Sequence, residues 1–216
     1  MANSSEHKLI QTALFLALAT IGYNIAEGLV SISFGLSDDA LALLGFGVDS
    51  FVEVLSGFGI LHLVYRMKKN GINNITSRDK FERQALKITG VSFYILTFGL
   101  VAGSLISIIT KTTPETTRVG IIIAVISILT MYILMNWKMK VGRQLHSDAI
   151  IADAKCTKTC FYLSFILLAS SGLYELFGIV WFDVAGSLGI AWFAFSEGRE
   201  AFGKAKSCEL SCHDCD

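Results

Sequence analysis

Two carboxylates, Asp49 and Glu53, stand four residues apart in an otherwise apolar stretch, and two thiols, Cys156 and Cys160, share the same spacing. On a helix, a spacing of four stacks both side chains on one face. The stretch around Asp49 and Glu53 holds no cation. Two such carboxylates repel, and one keeps its proton unless a divalent cation relieves the cost. Thiolates bind zinc, cadmium and softer metals, and a cysteine pair on one helix face is geometrically competent to do so. At about 100° per residue, Asp153 lies within ~60° of Cys156, so it joins the same stripe. Lys155 and Lys158 then fall on the far side, where their stems reach the interface. Each pair also has a plainer reading. The acids would be a protonated pair hydrogen-bonded to backbone or to Asn24, and the cysteines small inert hydrophobes.

The elements that must position these residues are membrane helices. Of 216 residues, 53 % are hydrophobic and 17 % charged, with Pro114 the single proline. An ordinary soluble domain carries about 25 % charged residues. The apolar residues gather in six blocks, read as spans at 9–32, 40–65, 84–110, 118–138, 149–171 and 174–196. Each is long enough to cross a ~30 Å hydrocarbon core. The expected fold is therefore an all-α membrane protein of six transmembrane helices. It excludes a soluble enzyme, a nucleic-acid binder and a disulfide-stapled secreted module, and the formal net charge of zero gives no reason to expect a polyanionic partner. Arg66, Lys68, Lys69, Arg78, Lys80, Arg83 and Arg143 fall on the even-numbered connections, against Lys111 and Arg118 on the other side. By the positive-inside rule both termini are cytoplasmic.

An ionisable group at bilayer depth is costly unless paired or facing a cavity, so each is a functional candidate. Besides the two pairs, Asn24, Glu27, Asp153 and Asp183 form this set, as outer-shell partners of a metal site, proton-path residues or polar helix–helix contacts. In the expected topology the second span runs inward and the fifth outward. Packed antiparallel, they bring Asp49, Glu53, Cys156 and Cys160 to one depth and close an O2S2 site near the midplane, where transporter sites usually lie. Glycines 28, 45, 47, 57 and 59 read as close-packing positions. All five cysteines fall on the cytoplasmic side or in the cytoplasmic half of the fifth span, which favours reduced thiols or metal ligands over disulfides. The chain divides into a transport domain over 1–200 and a short tail over 201–216, where Cys208, Cys212, His213 and Cys215 read as a metal-capturing segment. His7, His62 and His146 stand alone and carry no assigned site.

The stretch NIAEGLVSISFGLSDDALALLGFGVDSFVEVLSGFGIL, from Asn24 to Leu61, resembles the first two helices of cation diffusion facilitators. SDAIIADAKCTKTCFYLS, from Ser147 to Ser164, resembles their fifth helix, and WFDVAGSLGIAWFAFSEGREAF their sixth. The resemblance implies a metal-ion/proton antiporter with its metal between the second and fifth helices. The usual family site is an Asp-x3-Asp pair facing a His-x3-Asp pair. Asp49 matches the first acid and Glu53 replaces the second, while Cys156 stands at the histidine and Cys160 at the last aspartate. Family members mostly carry a cytoplasmic domain that supports dimerisation, which this chain lacks, so a homodimer is implied without its usual support.

Metal ligands must be deprotonated, so metal and protons compete for the same groups. The expected function is efflux of a heavy-metal cation by antiport, zinc or cadmium by the sulfur donors. Such a protein needs no cofactor beyond the transported ion, is no enzyme, and works in the lipid bilayer of a plasma or bacterial inner membrane. The alternative is a non-transporting metal-binding scaffold or sensor of the same fold. A thiol-redox enzyme is disfavoured, since it would want a C-x-x-C pair on the oxidising face.

Overall fold

The computed structural model describes residues 4–70, 80–110, 114 and 117–207, with the side chains of 4–6, 148, 149, 152 and 156 left aside. It is a bundle of six helices: α1 (Ser4–Ser37), α2 (Leu41–Asn70), α3 (Lys80–Thr110), α4 (Arg118–Gln144), α5 (Asp148–Phe177) and α6 (Trp181–Lys206). Among the described residues α1 to α5 are each long and apolar enough to cross a membrane. α6 has 26 residues but is diluted by glycine and alanine and charged at both ends, by Asp183 and by Glu197, Arg199 and Glu200.

The turns follow local chemistry. Between α4 and α5, His146 adopts a left-handed φ of 48°, and the Ser147 hydroxyl then caps α5 by accepting the Ile150 N–H. The fifth helix forms as expected but runs on to Phe177, past the 171 boundary read from the sequence, and the sixth begins at Trp181 rather than 174. The stop signal is Gly178, whose φ of 65° suits a residue without Cβ and lets its N–H bond to the Tyr174 carbonyl at 2.7 Å.

α1 packs on α2, α3 on α6 and α4 on α5, while α2 also touches α3, α5 and α6. The α1–α2 crossing is close because a Cβ on Gly47 would lie 2.8 Å from the Ile32 nitrogen, and one on Gly28 3.0 Å from the Gly47 oxygen. That approach sets Asn24 and Glu27 against Ser50 and Glu53. Gly45 and Gly57 also sit tightly, against Leu100 and Ile21, whereas Gly59 has ordinary clearance from Ala85.

Large apolar side chains point outward, among them Phe98, Ile109, Leu176 and Trp192, each more than 70 % exposed. A soluble monomer does not present such a surface; a lipid-facing bundle does. Polar groups turn inward and tie helices together: Ser104 with Ser187 at 2.7 Å and Ser164 with Ser127 at 2.9 Å. Two apolar layers fill the interior. One, with Leu43, Phe46, Leu96, Leu167 and Ile190, lies towards the α1–α2 turn. The other, with Leu16, Leu63, Met131, Leu145 and Cys160, lies towards the α4–α5 turn.

Candidate functional site

A cavity of about 60 Å³ opens inside the bundle, lined by Asp49 and Glu53 of α2, Thr89 of α3, Lys138 of α4, Asp153, Thr157 and Thr159 of α5, and Glu197 and Lys204 of α6. Four carboxylates from three helices thus face one space, large enough for a partly hydrated ion or about two water molecules. Its lining runs from Asp49, midway along the bundle, to Lys204 in the last turn of α6. The cavity therefore extends towards the end of the bundle where α4 meets α5.

Asp49 is 3 % exposed. Glu53, one turn on, accepts a hydrogen bond from Asn24 Nδ2 at 2.9 Å. The fully buried Asn24 keeps its Oδ1 without a partner. Glu27 is held apart from the cavity: the Tyr23 hydroxyl donates to its Oε1 at 2.7 Å and the Ser50 hydroxyl to its Oε2 at 3.0 Å. Asn24 thus contacts a cavity carboxylate directly, whereas Glu27 belongs to a closed network between α1 and α2.

Asp153 lines the cavity but is already engaged. Lys138, only 3 % exposed, reaches its Oδ2 at 2.9 Å and donates to Thr157 Oγ1 at 3.1 Å. Lys138 stands at the end of the apolar run of α4, yet its ammonium group is inside the bundle, because its long stem carries the charge back between α4 and α5. Lys155 and Lys158 lie on the exposed face, Lys158 over the Tyr162 ring at 5.6 Å, away from the cavity as their helical angle requires. Lys204, the second cavity lysine, bridges Glu200 within its own helix.

Cys160 is 4 % exposed and packs in the apolar layer with Leu16, Leu63 and Met131, next to the cavity stripe of α5 rather than among its lining residues. The Cys156 side chain lies outside the described residues, as do Cys208, Cys212, His213 and Cys215. Among the described residues, no three of His, Cys, Asp and Glu converge closely enough to hold a metal ion.

Asp183, read from the sequence as a proton-path residue or a polar helix–helix contact, makes a contact between helices. Its carboxylate accepts the backbone N–H groups of Leu41 and Ala42 at 3.1 and 3.2 Å, so a residue of α6 caps the start of α2. Asp183→Ala is expected to lower stability by about 1–2 kcal/mol while cation flux per folded molecule stays unchanged. Thermal unfolding beside flux checks this; a loss of flux at full stability would put Asp183 on the ion or proton path.

Glu197 and Thr89 escaped the sequence reading. Glu197 follows the last apolar run of α6, where a carboxylate reads as a solvated exit. The signal that would find it is the long amphipathic continuation of α6 to Lys206.

A multi-pass helical bundle whose interior carboxylates face a central cavity has the architecture of a membrane transporter for cations. Residues 13–207 match the transmembrane domain of the cation efflux family, nearly the whole chain, and the protein belongs to that family. A comparison with curated proteins returns no match. The protein is thus an integral multi-pass membrane protein of a family of cation transporters.

Proposed function

We propose that this protein moves a zinc- or cadmium-like divalent cation outward in exchange for protons, with the ion held between α2 and α5. The observation that carries this reading is the pair Asp49 and Glu53, on successive turns of α2 and facing the same interior cavity. α2 packs against α5, whose Asp153, Thr157 and Thr159 line that space, with Cys160 packed beside it. In this reading Cys156 and Cys160 complete the site from α5, Asn24 orients Glu53 from behind, and α6 is the sixth crossing. Both termini are cytoplasmic, as the Lys/Arg distribution favours. The cavity then faces the cytoplasm, and the layer of Leu43, Phe46 and Leu167 closes the outer half. Protons compete with the ion for the carboxylates and thiols, so protons entering from outside release it. The tail over 201–216 delivers metal to the inner mouth, and the bilayer is that of a plasma or bacterial inner membrane.

Flux into proteoliposomes under an imposed pH gradient, with zinc and cadmium compared, tests this. Gradient-dependent flux of both is expected. Cys160→Ser, which keeps the side-chain volume, should lower cadmium flux roughly tenfold, worth about 1.4 kcal/mol, and zinc flux less, since sulfur favours the softer ion. Equal effects on both metals would remove Cys160 from the site. Metal binding with no flux in the wild type would make the protein a scaffold or sensor.

A further inference from the structure

The α3–α6 wall of the cavity holds chemistry that the α2–α5 site does not use. α3 and α6 cross closely: a Cβ on Gly90 would lie 3.3 Å from the Gly198 oxygen and 2.8 Å from the Phe202 ring. The residue before each of these glycines faces the cavity, Thr89 from α3 and Glu197 from α6. Thr89 is 2 % exposed, and its hydroxyl has no hydrogen-bond partner. That is unusual within this molecule. Thr12, Thr20, Thr97, Thr110 and Thr157 all return their hydroxyls to the carbonyl four residues earlier in their own helix. Thr89 forgoes that local bond, which is unfavourable for a buried hydroxyl, and lines the cavity instead.

Glu197 completes the wall. Of the two cavity lysines, Lys138 pairs with Asp153 and Lys204 with Glu200 in its own helix, while Glu197 has the Thr159 hydroxyl and the Lys204 charge as neighbours. Its carboxylate shares the cavity with that of Asp49. A carboxylate and an unspent hydroxyl facing one small space, beside the Asp49 carboxylate, describe oxygen-donor ligation of a hard, hydrated cation.

We propose that Glu197 and Thr89 form a second cation station, on the cytoplasmic side of Asp49 and Glu53, which holds a divalent cation through one carboxylate, one hydroxyl and retained water. With no sulfur among its donors it is less selective than the α2–α5 site, and it keeps the ion hydrated until Asp49 and Glu53 take it. This deepens the transport reading and rests on it for the order of the two stops, though not for the existence of the second.

Equilibrium binding of zinc ion alone to the full-length protein in detergent tests it. Glu197→Gln should bind one equivalent fewer than the wild type, and Glu197→Asp should restore it. Thr89→Val should leave the number of equivalents unchanged and weaken one of them roughly tenfold. In the absence of metal, the valine variant should be at least as heat-stable as the wild type, since it removes a buried hydroxyl that has no partner. A purely structural threonine would show the reverse. Asp49→Asn should lose a different equivalent and retain that of Glu197. Wild-type stoichiometry and affinity in Glu197→Gln, or wild-type affinity in Thr89→Val, overturn the station. If Asp49→Asn binds as the wild type does while Glu197→Gln loses an equivalent, the α2–α5 site fails and the station stands.

Discussion

Asp49→Asn is expected to lower cation flux by about 30-fold or more without unfolding the bundle. Removing one charged partner from a buried electrostatic contact costs about 2–5 kcal/mol, and each 1.4 kcal/mol is about tenfold. Asp49 has few alternatives to a cation as partner. It is almost fully buried, the carboxylates of Glu53 and Glu197 line the same cavity, and the cavity's ammonium groups are engaged by Asp153 and Glu200. Asparagine matches aspartate in size and removes only the charge, so helix packing at Gly47 and Ser50 should persist. The neutral side chain also leaves one carboxylate fewer in the cavity, so the variant should be no less stable than the wild type. Proteoliposome flux and thermal unfolding of the same preparation provide the check. Retained flux would move the ion's path away from α2, whereas lost flux with lost stability would make Asp49 a structural acid. Glu53→Gln should be milder, because Asn24 already holds that side chain by a hydrogen bond that the amide oxygen can accept.

The six helices were legible because each is a long apolar block, and the lipid-facing requirement leaves little room for another fold. The same uniformity hid what lies between them. From Cys160 onward the fifth helix is apolar on most faces, so its end could not be read until Gly178, and the expected boundary fell six residues short. The Asp49 and Glu53 pair was visible because helical spacing is local information. The partners were not local. Asn24 meets Glu53 across 29 positions, and Asp183 meets Ala42 across 141. Only packing reveals that one acid faces a cavity while another caps a helix. Cys160 shows the same limit: its spacing from Cys156 is local, but only packing shows its thiol among Leu16 and Leu63.

Lys138 makes the strongest stability prediction. Its ammonium group sits between α4 and α5 with Asp153 Oδ2 at 2.9 Å and Thr157 Oγ1 at 3.1 Å, in the cavity that Asp49 and Glu53 also line. Lys138→Met keeps the stem but leaves the Asp153 carboxylate, 16 % exposed, without its counter-charge. Breaking a buried pair from one side costs about 3–5 kcal/mol. Replacing both partners by apolar groups of similar size is often neutral. The double variant Lys138→Met with Asp153→Leu should therefore recover most of the stability lost by the single one, and thermal unfolding of the four proteins in the cycle measures it. Transport should separate the two in the other direction. In Lys138→Met the uncovered Asp153 adds an uncompensated carboxylate to the cavity, so zinc should bind more tightly and leave more slowly. The double variant should bind zinc as the wild type does, because its cavity has lost one charge of each sign. A single variant as stable as the wild type would mean that solvent, rather than Lys138, already neutralises Asp153. In that case the ammonium group would have no structural reason to occupy an ion path.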